Sequence, residues 1–300
     1  MSEHDAATEA VDPTTLDLDR LPVPQLVARL TAHQRVAFTA VEAAAPALAQ
    51  AVDRIVAALA GGGRLHYVGA GTSGRLGALD AAELPPTFGT DPALVRAHIA
   101  GGSAALQRAV EGAEDDAAAG AALARTEFAP GDAVIGISAS GRAPYVVAAL
   151  ATARERGCTT IGIMSDRLAP LAGAVEIVIG LATGAEAIAG STRMAAGTAQ
   201  KIALGVLSTA TMVRLGRVYE NAMVDLIATN AKLRARAVRL VARFTGIDDA
   251  RAIDLLARAG GSVKVAIAMA RRDLDAAAAR AALDRAGGSL RRVVDGPTLP

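Results

Sequence analysis

The chain has no tryptophan, three tyrosines and four phenylalanines in 300 residues. At 2% aromatic content its core must be built from Ala, Val, Leu and Ile, which gives close-packed helices rather than aromatic binding platforms. A single cysteine, Cys158, excludes an intrachain disulfide framework. It stands before the apolar run Thr159-Thr-Ile-Gly-Ile163 and reads as a small buried hydrophobe, not as a nucleophile. An excess of one charge is also missing. Thirty-one Lys and Arg face 30 Asp and Glu, and a net charge of +1 gives no basic field to draw nucleic acid or an anionic membrane. No hydrophobic run reaches transmembrane length, and the opening Met-Ser-Glu-His-Asp is acidic and lacks an apolar signal region. The expectation is a soluble, cytoplasmic protein. His4, His33, His66 and His98 have no ligand spacing, so neither a metal site nor a cofactor is expected. His66 and His98 fall in predicted strands and read as structural.

Three hundred residues make one large domain or two modest ones. Residues 1–20 are polar and contain Pro13, which predicts an extended arm. Helical patterns follow near 24–32 and 34–60, closed by Gly61-Gly-Gly63. Short apolar strands then alternate with helices. Strands are expected at 64–69, 93–99, 132–138, 159–164 and 175–180, and helices at 74–83, 103–111, 114–126, 144–157 and 197–215. Such alternation implies a parallel sheet covered on both faces, with its ligand site at the carboxyl ends of the strands. Beyond 216 the strand signals disappear. Residues 218–244 read as one long helix ending at Gly246. In the tail, Leu256-Ala-Arg-Ala-Gly-Gly-Ser-Val-Lys264 recurs as Leu283-Asp-Arg-Ala-Gly-Gly-Ser-Leu-Arg291. Each copy reads as helix, Gly-Gly stop, Ser cap and next helix, with Asp248 and Asp275 as further caps. The predicted divisions are 1–60, N-terminal arm and helices; 61–216, the α/β domain; 217–246, a connecting helix; and 247–300, a compact helical subdomain.

The most informative run is Tyr67-Val-Gly-Ala-Gly-Thr-Ser-Gly-Arg-Leu-Gly77. It reads as a strand, a glycine-hydroxyl turn and a helix start, whose unpaired N–H groups and positive dipole end suit an anion. Gly71 and Gly74 let backbone approach that anion, and Thr72 and Ser73 add hydroxyl donors. Gly69-x-Gly71-x-x-Gly74 also matches a dinucleotide fingerprint, but that fingerprint needs an acid at the end of the next strand. Here Ala93–Ile99 runs into Ala-Gly-Gly. A second strand, Ala133–Ile137, leads into Ser138-Ala-Ser-Gly-Arg142 and a helix near Pro144. Two such loops on different parallel strands, with Ser138, Ser140 and Gly141 in the second, form a pocket for a phosphorylated ligand. A third hydroxyl cluster, Ser191 and Thr192, precedes the Gly197 helix start. Arg142, Arg193 and Lys201 are candidate phosphate partners or ordinary surface cations. Three carboxylates lie near these loops: Glu83, placed before Pro85-Pro86 where a helix is expected to stop; Glu114, in Glu111-Gly-Ala-Glu-Asp-Asp116; and Glu186. Carboxylates beside a phosphate cradle suit proton abstraction next to a sugar carbonyl, which serves aldose–ketose isomerisation and β-elimination alike.

Five ordered motifs are more specific than any single loop. Tyr67–Gly77, Glu83-Leu-Pro-Pro-Thr-Phe-Gly89, Val110-Glu-Gly-Ala-Glu-Asp115, Ser138–Tyr145 and Gly190–Lys201 together resemble the N-acetylmuramic acid 6-phosphate etherases. The resemblance runs from about residue 8 to the C-terminus and takes in Asn221–Leu233. It implies a sugar isomerase (SIS) fold: a three-layer α/β/α sandwich on a five-stranded parallel sheet, with N-terminal helices and a small all-helical C-terminal subdomain. It also implies a homodimer, a small-molecule phosphosugar substrate and cleavage of a D-lactyl ether during cell-wall sugar recycling. By the same resemblance Glu83 protonates the departing ether oxygen and Glu114 is the second catalytic carboxylate. Two departures stand out. The family's Ser-Glu-Cys-Pro-Pro is Ala82-Glu-Leu-Pro-Pro86 here, and its N-terminal acidic pair is replaced around His33-Gln34-Arg35. Two other readings stay in view. One is a non-catalytic phosphosugar regulator like the glucokinase regulatory proteins, which retention of Glu83 and Glu114 in so short a chain disfavours. The other is a phosphosugar isomerase, which the Glu83-x-Pro-Pro and Glu114 motifs disfavour.

Overall fold

A computed structural model describes residues 7–228 and 230–296; His4 and the first six residues of the expected arm lie outside them. The described part of that arm is not extended. It makes three short 3-10 turns, Ala7–Glu9, Pro13–Thr15 and Leu18–Arg20, because Asp12 caps the second by accepting from the Thr14 N–H. Three helices follow: α1 (Val23–His33), α2 (Arg35–Ala43) and α3 (Ala45–Ala60). The single helix expected over 34–60 is thus broken at Ala44. Pro46 lacks an N–H and is accommodated in the first turn of a new helix, not in the interior of an old one.

The chain divides into two compact units. One runs to Ala82 and resumes over Ala93–Ser208; the other comprises Glu83–Pro92 and the chain from Thr209. The first unit holds five parallel strands, β1 (Leu65–Gly69), β2 (Val95–Ile99), β3 (Ala133–Ile137), β4 (Thr159–Met164) and β5 (Ile177–Gly180), in the order β2-β1-β3-β4-β5. Every residue of β1 and β3 is buried, as expected of strands covered on both faces. On one face Val68, Val134 and Met164 pack against α5 (Ala117–Glu127), α6 (Pro144–Glu155) and α7 (Pro170–Ala174). The other face receives α3 and α4 (Gly71–Phe88), the latter through Gly77 against Tyr67 and Ile137. α8 (Ala195–Arg214) completes the unit and, like α4, continues past its boundary.

The histidines in β1 and β2 are structural. His66 Nδ1 lies 3.0 Å from His98 Nε2, and His66 Nε2 lies 3.3 Å from Asp132 Oδ2. Burial lowers both pKa values, that of His98 to about 4, so the pair is neutral near pH 7. Cys158 is buried, and burial pushes its thiol up to about 11, which makes it inert. Two helix expectations change. The helix expected at 103–111 is only a 3-10 turn, Gly102–Leu106, because Gly101, Gly102 and Gly112 are all left-handed. The helix expected from 114 starts at Ala117, with Asp116 as its cap.

The second unit opposes the expectation of a helix across 218–244. A two-stranded hairpin, β6 (Val218–Tyr219) and β7 (Ala222–Met223), turns through left-handed Glu220, and only then does α9 (Ala231–Thr245) begin, capped by Asn230. The C-terminal region is otherwise helical: α10 (Asp249–Arg258), α11 (Val263–Arg272), α12 (Ala276–Arg285) and α13 (Leu290–Val294). Asp248, Ser262, Asp275 and Ser289 cap them in turn, each side chain accepting a backbone N–H three residues on. The two copies of the repeat meet at one ammonium group. Lys264 Nζ donates to Asp225 Oδ2 at 2.5 Å, to the Gly288 carbonyl at 2.8 Å and to the Gly216 carbonyl at 3.0 Å. Burial lowers the Lys264 pKa, and the Asp225 charge opposes that shift. Lys264→Met leaves two carbonyls and a largely buried carboxylate short of a donor. It is expected to lower the unfolding free energy by about 3 kcal/mol, measured by urea denaturation; a change within about 0.5 kcal/mol would show the ammonium to be dispensable.

Candidate functional site

The strand order places a switch point between β1 and β3. The chain leaves β1 toward β2 and leaves β3 toward β4, which opens a crevice at the carboxyl ends of the two central strands. Two glycines set the first wall. A Cβ on Gly69 would lie 2.6 Å from the Gly74 nitrogen, and one on Gly74 would lie 2.6 Å from Ile99 Cγ1 and 2.9 Å from the Gly69 carbonyl oxygen. Gly71 turns the chain with φ +51°. The first helical hydrogen bond of α4 runs from the Gly74 N–H to the Ala70 carbonyl, so the N–H groups of Gly71, Thr72 and Ser73 precede the ladder.

The hydroxyls of this loop have defined uses. Ser73 Oγ donates to Gln200 Oε1 at 2.9 Å, and Gln200 is buried with its Nε2 unpartnered. Thr72 borders Gly197 of α8, so the starts of α4 and α8 converge. Gln34, within the segment that departs from the family pattern, accepts from Thr198 Oγ1 at 2.7 Å at that same start of α8. Below β3 the second loop is held by its own serines. Ser138 Oγ accepts from the Gly141 N–H at 3.1 Å, and Ser140 Oγ accepts from the Arg142 N–H at 3.2 Å. Gly141 adopts φ +67°, and Arg142 Nη2 lies 3.5 Å from Asp166. A serine oxygen that accepts from its own loop still has its proton to offer a ligand.

The carboxylates divide. Glu186 is buried, and its two oxygens accept from the Ala195 and Ala196 N–H groups at 2.9 Å each, which caps α8. Ser191 and Thr192 are half-buried on the turn before that cap, where the Thr192 carbonyl accepts from the Gly197 N–H. Lys201 is exposed further along α8. Glu114 stands outside α5 on a 3-10 turn, so Asp116 and not Glu114 complements that helix dipole. Glu114 lines a cavity of about 170 Å³ together with Glu111, Gly71 and Arg75. Glu83 is exposed on α4, twelve residues after Gly71. Pro85 and Pro86 do not stop the helix there. Proline φ is helical, so the turn continues to Phe88 and is closed by left-handed Gly89, whose N–H reaches the Pro85 carbonyl.

Arg75 and Glu111 were not among the residues that sequence reasoning selected. Arg75 carried a signal all the same: a cation in the first turns of a helix opposes the dipole and calls for a partner. Glu111 carried none, because its place depends on the loop that replaces the expected helix.

Comparison with known proteins bears on the fold and the family. Residues 47–154 match the glucokinase regulatory protein N-terminal SIS domain. The chain is similar to the N-acetylmuramic acid 6-phosphate etherase of Gloeobacter violaceus, 51% identical over 94% of this chain and 93% of that protein. It is 48% identical to the enzyme of that name from Salmonella typhimurium, over 96% and 97% of the two chains. Among solved structures, a Bacteroides fragilis protein described as a phosphosugar isomerase involved in capsule formation shares the fold, with a TM-score of 0.50, 18% identity, and coverage of 64% of this chain and 91% of that one.

The glycine contacts order two substitutions. Gly74→Ala forces backbone and Ile99 apart and is expected to cost about 1–3 kcal/mol of unfolding free energy. Gly71→Ala meets open space and bears only the left-handed backbone penalty, about 1–2 kcal/mol. Denaturant titration of both variants checks whether Gly74→Ala is the costlier.

Proposed function

Because this chain belongs to the N-acetylmuramic acid 6-phosphate etherase family, we propose that it cleaves the D-lactyl ether of N-acetylmuramic acid 6-phosphate to N-acetylglucosamine 6-phosphate and D-lactate. The observation that carries this reading is the shared wall of the site: Gly71, which opens the phosphate-binding loop, borders the same cavity as Glu114. In this account the N–H groups at the start of α4, that of Ser73 among them, and the hydroxyls of Thr72, Ser138 and Ser140 receive the phosphate, while the Ser73 hydroxyl stays with Gln200. Gly74 and Gly141 admit its close approach. Arg142 and Lys201 add charge from the rim, and Ser191 and Thr192 close the side toward α8.

The chemistry follows as an elimination and a hydration. The sugar ring opens, and a carboxylate removes the C2 proton that the adjacent aldehyde acidifies. The C3–O bond then breaks with its electron pair leaving on the lactate oxygen, which Glu83 protonates. Water adds back at C3 of the unsaturated aldehyde, and the ring closes. Glu114 is the second carboxylate of the sequence. The reaction needs no redox change, and the reading includes no cofactor.

A charged phosphosugar does not cross a membrane unaided, which favours an enzyme that works in the cytoplasm beside the step that phosphorylates its substrate. A homodimer is also part of this reading, supported by exposed Val23 and Val27 of α1 and by Phe38 of α2, 60% exposed. Light scattering should give twice the chain mass for the wild type and a shift toward the monomer for Phe38→Glu; a monomeric wild type would remove the dimer.

Incubation with N-acetylmuramic acid 6-phosphate should release D-lactate, at a rate reduced at least about 100-fold in Glu83→Gln and in Glu114→Gln. In ¹⁸O water the label should appear on the sugar C3 oxygen and not in lactate. Binding of the sugar phosphate without lactate release would instead favour the regulator, the kind of protein from which the matching SIS-domain model takes its name.

A further inference from the structure

The cavity that Glu111 and Glu114 line is also lined by Arg75, which forms no ion pair among the described residues. Arg75 Nε donates to the Ala105 carbonyl at 2.9 Å, which fixes the plane of the guanidinium. Among the described residues neither terminal nitrogen of Arg75 has a hydrogen-bond or ion-pair partner. The side chain stands in the first turns of α4, where the dipole disfavours a cation, so its position brings no helix stabilisation. The cavity is small, about 170 Å³. That is below the roughly 300 Å³ at which pockets for whole ligands begin, and its walls are mainly alanine and glycine. It has room for a substituent, not for a sugar ring.

The proposed substrate has two anions. The phosphate is accounted for by the loops at the crevice. The other is the carboxylate of the lactyl group, three atoms from the bond that breaks. We propose that Arg75 binds this carboxylate through Nη1 and Nη2, which seats the lactyl group in the small cavity on whose wall Glu114 stands. The inference rests on the etherase reading. Glu111 and Glu114 on the same wall repel a carboxylate, so the guanidinium is the group there that attracts one, and the pairing fixes which way the lactyl arm points. It also distinguishes substrate from product: N-acetylglucosamine 6-phosphate has no carboxylate, and once the ether is cut the two products no longer share an anchor.

The test compares the natural substrate with its lactyl carboxamide, which is neutral and nearly the same shape, in wild type, Arg75→Met and Arg75→Lys. Release of lactate or lactamide gives kcat/KM. The wild type should prefer the acid by about 10- to 100-fold, the worth of a charge-assisted bidentate contact. Arg75→Met should bring the ratio of acid to amide close to one, and Arg75→Lys should restore part of it. A wild type indifferent to the amide, or an Arg75→Met variant that keeps the ratio while losing rate on both, overturns the inference and leaves the etherase reading standing. Calorimetric binding separates the converse case. If the wild type released no lactate yet bound N-acetylmuramic acid 6-phosphate more tightly than N-acetylglucosamine 6-phosphate, and Arg75→Met abolished that difference, the carboxylate contact would hold and the etherase reading would fall. Equal wild-type affinity for the two sugars would count against the contact.

Discussion

The close approach of Gly69 to Gly74 is the constraint on which the site depends. With no Cβ on either residue, the first turn of α4 sits directly on the end of β1 and beside Ile99 of β2. That contact aims the free N–H groups of the turn into the β1–β3 crevice. Other links then lock α4. Tyr67 donates from β1 to Asp80 at 2.8 Å, and Ser208 of α8 donates to the same carboxylate at 3.1 Å. Tyr67 is buried, and burial first, then the Asp80 charge, raises its pKa well above the ordinary value, so the hydroxyl remains a donor across the accessible pH range. A glycine contact, a tyrosine and a serine thus fix the helix whose start is the floor of the site.

Much of this was legible in the sequence for a simple reason. Buried parallel strands are short apolar runs, and the loops between them contain the glycine and hydroxyl residues that the turns require. The repeat in the tail was equally readable, because Asp, Ser and Gly-Gly mark helix ends by local chemistry. The misreadings share a different cause. Ala44 interrupts an alanine-rich helical pattern with no change of composition, and only Pro46 announced the break. The hairpin at 218–223 turns through Glu220, a residue that does not advertise a left-handed conformation. The loop from Gly101 to Gly112 looked helical because its apolar residues have helical spacing, whereas its glycines are left-handed and Val110 folds back over Gly101. Pattern reveals what packs; it does not show which glycine, proline or acidic residue will turn the chain.

The candidate site was partly visible. Loops of hydroxyls and glycines announced an anion, and Glu114 stood in a recognisable motif. That Asp116 takes over the helix cap and releases Glu114 depended on where α5 begins, three residues later than the pattern implied. Arg75 was hidden by its own motif, where it read as one more residue of the helix and not as a cation beside a cavity.

Three helices start near the crevice, and they are not electrostatically equal. The buried Glu186 carboxylate already occupies the first N–H groups of α8, so the positive end of that helix is neutralised from within the fold. α4 and α6 keep theirs. The N–H groups of Ala195 and Ala196 are thus withdrawn from any ligand, although hydroxyls stand near all three helix starts. The protein's own carboxylate is a built-in anion at one of the three helix starts, and it leaves the other two to any anion that arrives from outside.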